Sequence, residues 1–372
     1  MIKENFIKLY EDSFKENWAL PALSDYGENK TLSFGELARE VARFHVLFDE
    51  CRIQPGDKIA LIGKDCVNWC VVYMAVVTYG AVIVPILQDF NPNDVQHIVN
   101  HSESVMLFSS DKVLKSLKRE KMPQIRSIFS LSNFECVYQK EGEKAEETLR
   151  SWDDLFAKRY PEGFSKKDIR YADQGNDKVV LINYTSGTTG FSKGVMLTGN
   201  NLAGNVTYAK TLDLLFSGDR ELCFLPLAHA YSCAFNLLVP MAFGVHVYLL
   251  GKLPSPKILL KAFEEVRPNL ILTVPLILEK IYKNMIAPQL SKRTVKLAMN
   301  IPLVRNQVYT MIRSKLVEAL GGQFREIIVG GAAMNQEVAD FLYKINFPFT
   351  IGYGMTECGP LISYDNHEEY VL

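Results

Sequence analysis

Three features of the 372-residue sequence predict an α/β protein with two doubly wound, mainly parallel sheets packed with helices. Short β-branched runs alternate with longer segments of helical period, the pattern of repeated βαβ units. Several runs are apolar throughout, as strands covered on both faces must be. The runs also number ten, more than one sheet holds comfortably.

In chain order the strand candidates begin with Lys58 to Gly63, Ala81 to Ile86, Val105 to Ser109, Lys178 to Thr185 and Gly194 to Leu197. Glu221 to Leu227, Val245 to Leu250, Asn269 to Val274, Glu326 to Gly331 and Phe349 to Gly354 follow. Each is dominated by side chains that suit a pleated, buried surface. Helical patterns fill most intervals: Asn93 to His101, Leu202 to Phe216, Ser255 to Val266, Pro275 to Met285 and Asn335 to Ile345. Asn93 and Ser255 are expected N-caps, because a short polar side chain can accept from the free N–H groups of a helix start, and Pro256 suits a first turn. The polar run QKEGEKAEE, Gln139 to Glu147, predicts an exposed loop.

Composition narrows the function. Lys and Arg number 41 against 42 Asp and Glu, so a net charge of −1 provides no general attraction for nucleic acid or anionic membranes. The one basic run, Lys292, Arg293, Lys296, Arg305, Arg313 and Lys315, reads as a solvated helix face. Seven scattered cysteines without a Cys-x-x-Cys pair suit a reduced, cytoplasmic protein, and the charged N-terminus does not read as a signal peptide. Cys66 to Gln88 and Leu222 to Gly251 carry no Asp, Glu, Lys or Arg over 23 and 30 positions. Both are long enough to span a bilayer, but Gly80 and Pro85 divide the first, and Pro226, His229, Asn236, Pro240 and His246 punctuate the second. Buried strands and helices are expected there, with no transmembrane segment.

The segment YTSGTTGFSKG, Tyr184 to Gly194, follows an apolar strand and carries the strongest chemical signal. Its glycines let backbone N–H groups converge on a polyphosphate, its hydroxyls donate to phosphate oxygens, and Lys193 adds a compact positive charge. It is not a Walker A loop, because Gly194 stands where Ser or Thr should follow the lysine. Two further segments, VGGAAMN (Val329 to Asn335) and GYGMTE (Gly352 to Glu357), also end strands. Ligands of doubly wound sheets bind beyond such ends, so the three loops are expected to line one crevice. There Tyr353 would stack on a base, Thr356 would bond a phosphate oxygen, and Glu357 would offer a hard oxygen ligand to Mg²⁺.

Together these residues resemble the adenylate-forming superfamily of acyl-CoA synthetases, luciferases and peptide-synthetase adenylation domains, and most closely the long-chain fatty-acid–CoA ligases. The two hallmark motifs match at Ser186 to Gly194 and Tyr353 to Glu357, and the likeness continues through LPLAHAYS (Leu225 to Ser232) and Leu316 to Asn335. The resemblance implies that Thr185, Ser186, Gly187, Thr188, Thr189, Gly190 and Lys193 meet the ATP phosphates. It places Gly331 and Ala332 against the adenine, with Tyr353 and Gly354 packing on it. Thr356 and Glu357 would hold phosphate and Mg²⁺, and His229 would sit near the substrate carboxylate. Lys193, Thr356, Glu357 and His229 are thereby the implied catalytic set. Phe191 and Ser192 replace a frequent x-Pro before the lysine.

Family members continue past the second motif to a ribose-binding aspartate, a hinge and a small domain with the adenylating lysine. The resemblance therefore identifies residues 1–372 as the large N-terminal AMP-binding domain, with its β-barrel subdomain incomplete. Its expected parts are 1–62 with 222–350, then 63–221, with 351–372 opening the remainder. The implied reaction joins a carboxylic acid to ATP, then passes the acyl group to coenzyme A. An apolar stretch without acidic residues, Leu222 to Gly251, argues for a fatty chain over an amino acid, whose buried ammonium would lack a partner. An aryl acid would fit nearly as well, and a non-catalytic nucleotide-binding module is the other reading. A metalloenzyme is suggested only by His97 and His101, without a third ligand. Peripheral membrane contact and oligomeric state stay open.

Overall fold

The computed structural model describes residues 2–185, 193–293, 295 and 299–369. Its strands are β1 (Pro21–Asp25), β2 (Lys30–Ser33), β3 (Lys58–Ile62), β4 (Val82–Ile86), β5 (Ser104–Ser109), β6 (Ser127–Ser130), β7 (Cys136–Gln139), β8 (Val179–Thr185), β9 (Lys193–Thr198), β10 (Arg220–Cys223), β11 (His246–Leu249), β12 (Leu270–Thr273), β13 (Glu326–Val329), β14 (Phe349–Ile351), β15 (Tyr353–Gly354) and β16 (Leu361–Ser363). Two seven-stranded sheets result, in the orders β14-β13-β12-β10-β11-β1-β2 and β7-β6-β5-β3-β4-β8-β9. The interior pairs are parallel, and antiparallel pairing is confined to β1/β2, β6/β7 and β8/β9 at the edges. A separate antiparallel ribbon, β15/β16, follows the first sheet, and no closed barrel forms among the described residues. The expected divisions after residues 62 and 221 fall at sheet-changing strands: β3 pairs in the second sheet and β10 in the first.

The first charge-free stretch becomes the helix Val67–Tyr79 followed by β4. This helix packs against β1 and β2 of one sheet and β3 and β4 of the other. Contact on both sides explains why it is apolar all round. Asp25, from β1, accepts the N–H of Val67 at 2.8 Å, and Gly80 ends the helix with φ +88°, a left-handed conformation that costs glycine nothing. The second stretch becomes β10, a helical segment over Ala230–Phe243 and β11. Among the described residues no helix is long and apolar enough to cross a membrane.

Several boundaries differ from expectation for local reasons. Asn91, not Asn93, caps the helix Pro92–His101, accepting from the N–H groups of Asn93 and Asp94. A capping box at Thr198 and Asn201 starts the next helix at Gly199, and it stops at Ala209, before Asp213 at φ +52°. Residues Ala145–Arg150 of the expected acidic loop are helical. Ser255 and Pro256 act as predicted. In the basic run, Lys292, Arg293, Arg305, Arg313 and Lys315 are exposed, and Lys296 lies outside the described residues.

Two polar contacts tie the second sheet to the segment that follows β10. Asn183, buried on β8, donates to the carbonyl of Ala228 at 2.9 Å. Asp65, just past β3, accepts the Leu227 N–H through both oxygens at 3.2 Å, while burial pushes its carboxyl up to about 7. Replacing Asn183 with Ala strands a buried carbonyl. Such a loss costs about 1–3 kcal/mol, so chemical denaturation of Asn183→Ala should show a drop of that order; unchanged stability would refute the tie.

Candidate active site

A cavity of about 370 Å³ opens where the carboxyl ends of β12, β13 and β14 meet the helical segment Ala230–Phe243. Its deep half is apolar, formed by Leu212, Leu214, Phe235, Val239, Leu270 and Leu272. Its mouth is formed by His229, Gly330, Gly331 and the run Gly352 to Thr356. One continuous space therefore joins an apolar chamber to a glycine-rich rim.

The rim depends on missing side chains. A Cβ at Gly330 would stand 2.9 Å from the ring of Tyr231, whose hydroxyl donates to the Ile328 carbonyl at 3.0 Å. Glycine lets that ring lie flat on the strand end. Gly331 has φ +87°, a turn that an L side chain disfavours. The N–H groups of Gly330 and Gly352 donate to Thr273 and Val329, extending the sheet's bonding by one residue into each loop. A Cβ at Gly354 would meet the Pro360 carbonyl oxygen at 2.1 Å, so only glycine fits in the β15/β16 ribbon there.

Tyr353 is 63% exposed, an unusual setting for a large ring unless it covers something. The following turn, Thr356–Cys358, is closed by the Met355 N–H to the Pro360 carbonyl at 2.8 Å. Asn205 secures it from the helix Gly199–Ala209, donating to Gly359 and accepting from Leu361. The strand β9, which begins at Lys193, approaches the same turn.

His229 precedes a short helix, Ala230–Ser232, that runs into a π-helical segment, Cys233–Leu238. Such widened turns recur at functional sites because they re-aim side chains. The imidazole reaches solvent through the cavity mouth but is otherwise enclosed by protein, and this desolvation lowers its pKa below the ordinary value. It therefore meets a ligand as a neutral ring.

The structure gathers His229, Gly331, Tyr353, Gly354 and Thr356 around one cavity. Glu357 is exposed on the adjoining turn and Ala332 is exposed one residue past Gly331; neither lines the cavity. Thr185 and Lys193 are register partners across β8/β9. The candidates between them, Ser186, Gly187, Thr188, Thr189 and Gly190, lie outside the described residues. His101 donates to or accepts from the Tyr184 hydroxyl at 2.7 Å, and no group of three His, Cys, Asp or Glu side chains converges among the described residues.

Sequence reasoning missed Glu221. It lies one residue before the acid-free stretch and, on β10, is paired in register with Leu270 of the cavity wall. Side chains at such positions share a face of the sheet. Only 1% exposed, its carboxyl accepts from Asn236 Nδ2 at 3.1 Å, and burial raises it from 4.5 to about 8. An acid in a period-two frame with Cys223, within an otherwise apolar strand, was the available signal.

A family model described as AMP-binding enzyme matches residues 11–371. The human long-chain-fatty-acid–CoA ligase ACSBG2 is 25% identical over 370 residues, covering 90% of this chain and 54% of the relative. The peroxisomal long chain acyl-CoA synthetase 7 of Arabidopsis thaliana is 29% identical over 357 residues, covering 91% and 49%. The chain thus spans about half the length of the curated relatives it matches. Among solved structures, the inhibitor-bound N-terminal domain of FACL13 from Mycobacterium tuberculosis superposes with a TM-score of 0.71 at 19% identity, covering 96% of this chain and 77% of that one. ATP-bound MatB from Rhodopseudomonas palustris gives 0.72 at 20% identity, covering 99% and 63%. At these identities the two structures establish a shared fold.

The Glu221 environment has a measurable signature. A carboxyl raised on folding keeps its proton while the unfolded chain releases it, so its stabilisation is complete below about 4.5 and lost as pH rises towards 8. Gln has no proton to release. The melting temperature of Glu221→Gln relative to the unsubstituted protein should therefore rise between about pH 5 and pH 9, and a pH-independent difference would contradict the buried neutral carboxyl.

Proposed function

The chain belongs to the AMP-binding enzyme family, and from that premise we propose that it is the adenylate-forming part of an acid–thiol ligase. The proposed reaction activates a carboxylic acid with ATP to an acyl adenylate and pyrophosphate, then transfers the acyl group to coenzyme A. A long-chain fatty acid is the proposed substrate. One observation carries the reading: the apolar chamber and the glycine-and-tyrosine rim are a single cavity with His229 between them. The names of the curated relatives, long-chain-fatty-acid–CoA ligase and long chain acyl-CoA synthetase, support the choice of acid and thiol.

The residues present fit the nucleotide. Gly330 and Gly331 leave the strand end bare enough for a flat base, and the exposed ring of Tyr353 lies at the same mouth to cover it. In this reading Thr356 and the segment from Thr185 to Lys193 receive the phosphates. The site also fits Mg²⁺ arriving with ATP, since that ion takes one or two protein carboxylates and otherwise phosphate and water oxygens, and Glu357 is one exposed carboxylate beside Thr356. When bound, Mg²⁺ would supply charge neutralisation at the phosphates.

The reaction brings an anionic carboxylate onto an anionic phosphorus centre. Lys193 at the rim offsets that repulsion, while the neutral His229 orients the carboxylate without neutralising its nucleophilic charge. No covalent protein nucleophile is needed. The alkyl chain occupies the chamber of Leu212, Leu214, Phe235, Val239, Leu270 and Leu272, gaining about 0.8 kcal/mol per buried methylene.

In a protein spanning the relatives' full length, Glu357→Gln should lower pyrophosphate release at limiting Mg²⁺ by at least about tenfold, with partial recovery as Mg²⁺ is raised. Unchanged release at limiting Mg²⁺ and saturating substrate would remove Glu357 from metal binding. Failure of the unsubstituted protein to release pyrophosphate with any fatty or aryl acid would overturn the ligase reading itself.

A further inference from the structure

The floor of the cavity is less apolar than its walls. Through the register of the first sheet, Glu221, Leu270 and Glu326 stand side by side on β10, β12 and β13, so all three side chains project from one face. Leu270, in the middle, lines the cavity, as do Leu272 and Ile328 on the same face. At the usual strand spacing the two acids are about 10 Å apart at their Cα atoms, one on either side of Leu270.

Their surroundings differ. Glu326 is fully satisfied: one oxygen accepts from the Tyr364 hydroxyl, and the other from the His367 N–H at 2.6 Å. Tyr364 also lines the cavity. Glu221 has Asn236 on one oxygen only, and its Oε1 is buried without a hydrogen-bond partner. Ser232, which lines the cavity, lies 3.2 Å from Asn236 Oδ1 and donates to the Leu225 carbonyl at 2.9 Å. A buried oxygen left without a partner is costly and rare, and a ligand group is one way to satisfy it.

We propose that the acid taken by this cavity carries a hydroxyl group at the end remote from its carboxylate, and that Glu221 receives that hydroxyl. This rests on the adenylate-forming reading above and narrows its substrate class. A plain alkyl end leaves Glu221 Oε1 unpaired, whereas a hydroxyl both donates and accepts and so matches a neutral carboxyl whichever oxygen holds the proton. Burial favours that neutral form of Glu221, which disfavours an ammonium in the same place. Glu221 is thus a specificity-determining residue for the reaction.

The test measures affinity of the chain for matched sulfamoyl-adenosine analogues with octanoyl, dodecanoyl and hexadecanoyl groups, each unsubstituted, terminally hydroxylated or terminally aminated. At the length that reaches the floor, the hydroxylated compound should bind about tenfold more tightly than its unsubstituted partner. Glu221→Leu should abolish that preference, and Glu221→Gln, which still donates and accepts, should retain most of it. Equal affinities at every length, a preference that survives Glu221→Leu, or a stronger preference for the amine would overturn the proposal. If Glu221→Leu does not fold, the unsubstituted protein and Glu221→Gln decide. Binding of the unsubstituted compounds without a hydroxyl preference leaves the ligase reading standing and this one refuted, whereas failure of every analogue to bind removes both.

Discussion

The segment Leu225 to Ser232 is held between two sheets by polar contacts at its middle and a ring contact at its end. Its Leu227 N–H is taken by Asp65 and its Ala228 carbonyl by Asn183, both from the second sheet. Its Tyr231 ring lies against Gly330 of the first. The position of His229 follows, because the residue is fixed from both sides within three positions. The helical segment that begins at Ala230 then forms the lid of the apolar chamber, so the cavity's shape is a consequence of where this short piece is seated. Loops that carry function on a rigid scaffold usually depend on few contacts, and here those contacts are buried.

Charge is sorted by depth in the same region. Desolvation lowers the pKa of His229 and pushes Asp65 and Glu221 up to about 7 and about 8, so the groups nearest the chamber favour their neutral forms. The formally charged candidates, Lys193 and Glu357, are exposed on β9 and the adjoining turn. Such a gradient suits a ligand that is apolar at one end and polyanionic at the other. It also keeps the interior from bearing the cost of an unpaired buried charge.

Much of this was legible before the structure. Apolar runs at Ile59–Ile62 and Val82–Ile86 had to be buried strands, and the glycine clusters at Gly330–Gly331 and Gly352–Gly354 had to be strand-end loops, since no side-chain packing would require them. What stayed hidden was relational. The short edge strands β1, β2 and β7 carry too few apolar residues for a period to show. Exchange of β3 and β10 between sheets is a long-range pairing that no local pattern encodes. Glu221 and Glu326 are 105 positions apart, and only the register through Leu270 puts them on one floor. The apparent absence of acids around the apolar stretch held along the chain and failed in space.

The central claim is that one cavity takes both the adenylate and the acyl chain. A crystal structure of this chain with a hexadecanoyl sulfamoyl-adenosine analogue tests it most directly. The predicted result has adenine between Gly331 and Tyr353, the sulfamoyl group beside His229 and Thr356, and the alkyl chain descending past Phe235 towards Leu270. Adenine at that rim with the alkyl chain lying outside the chamber, or the analogue bound elsewhere on either sheet, would contradict the account.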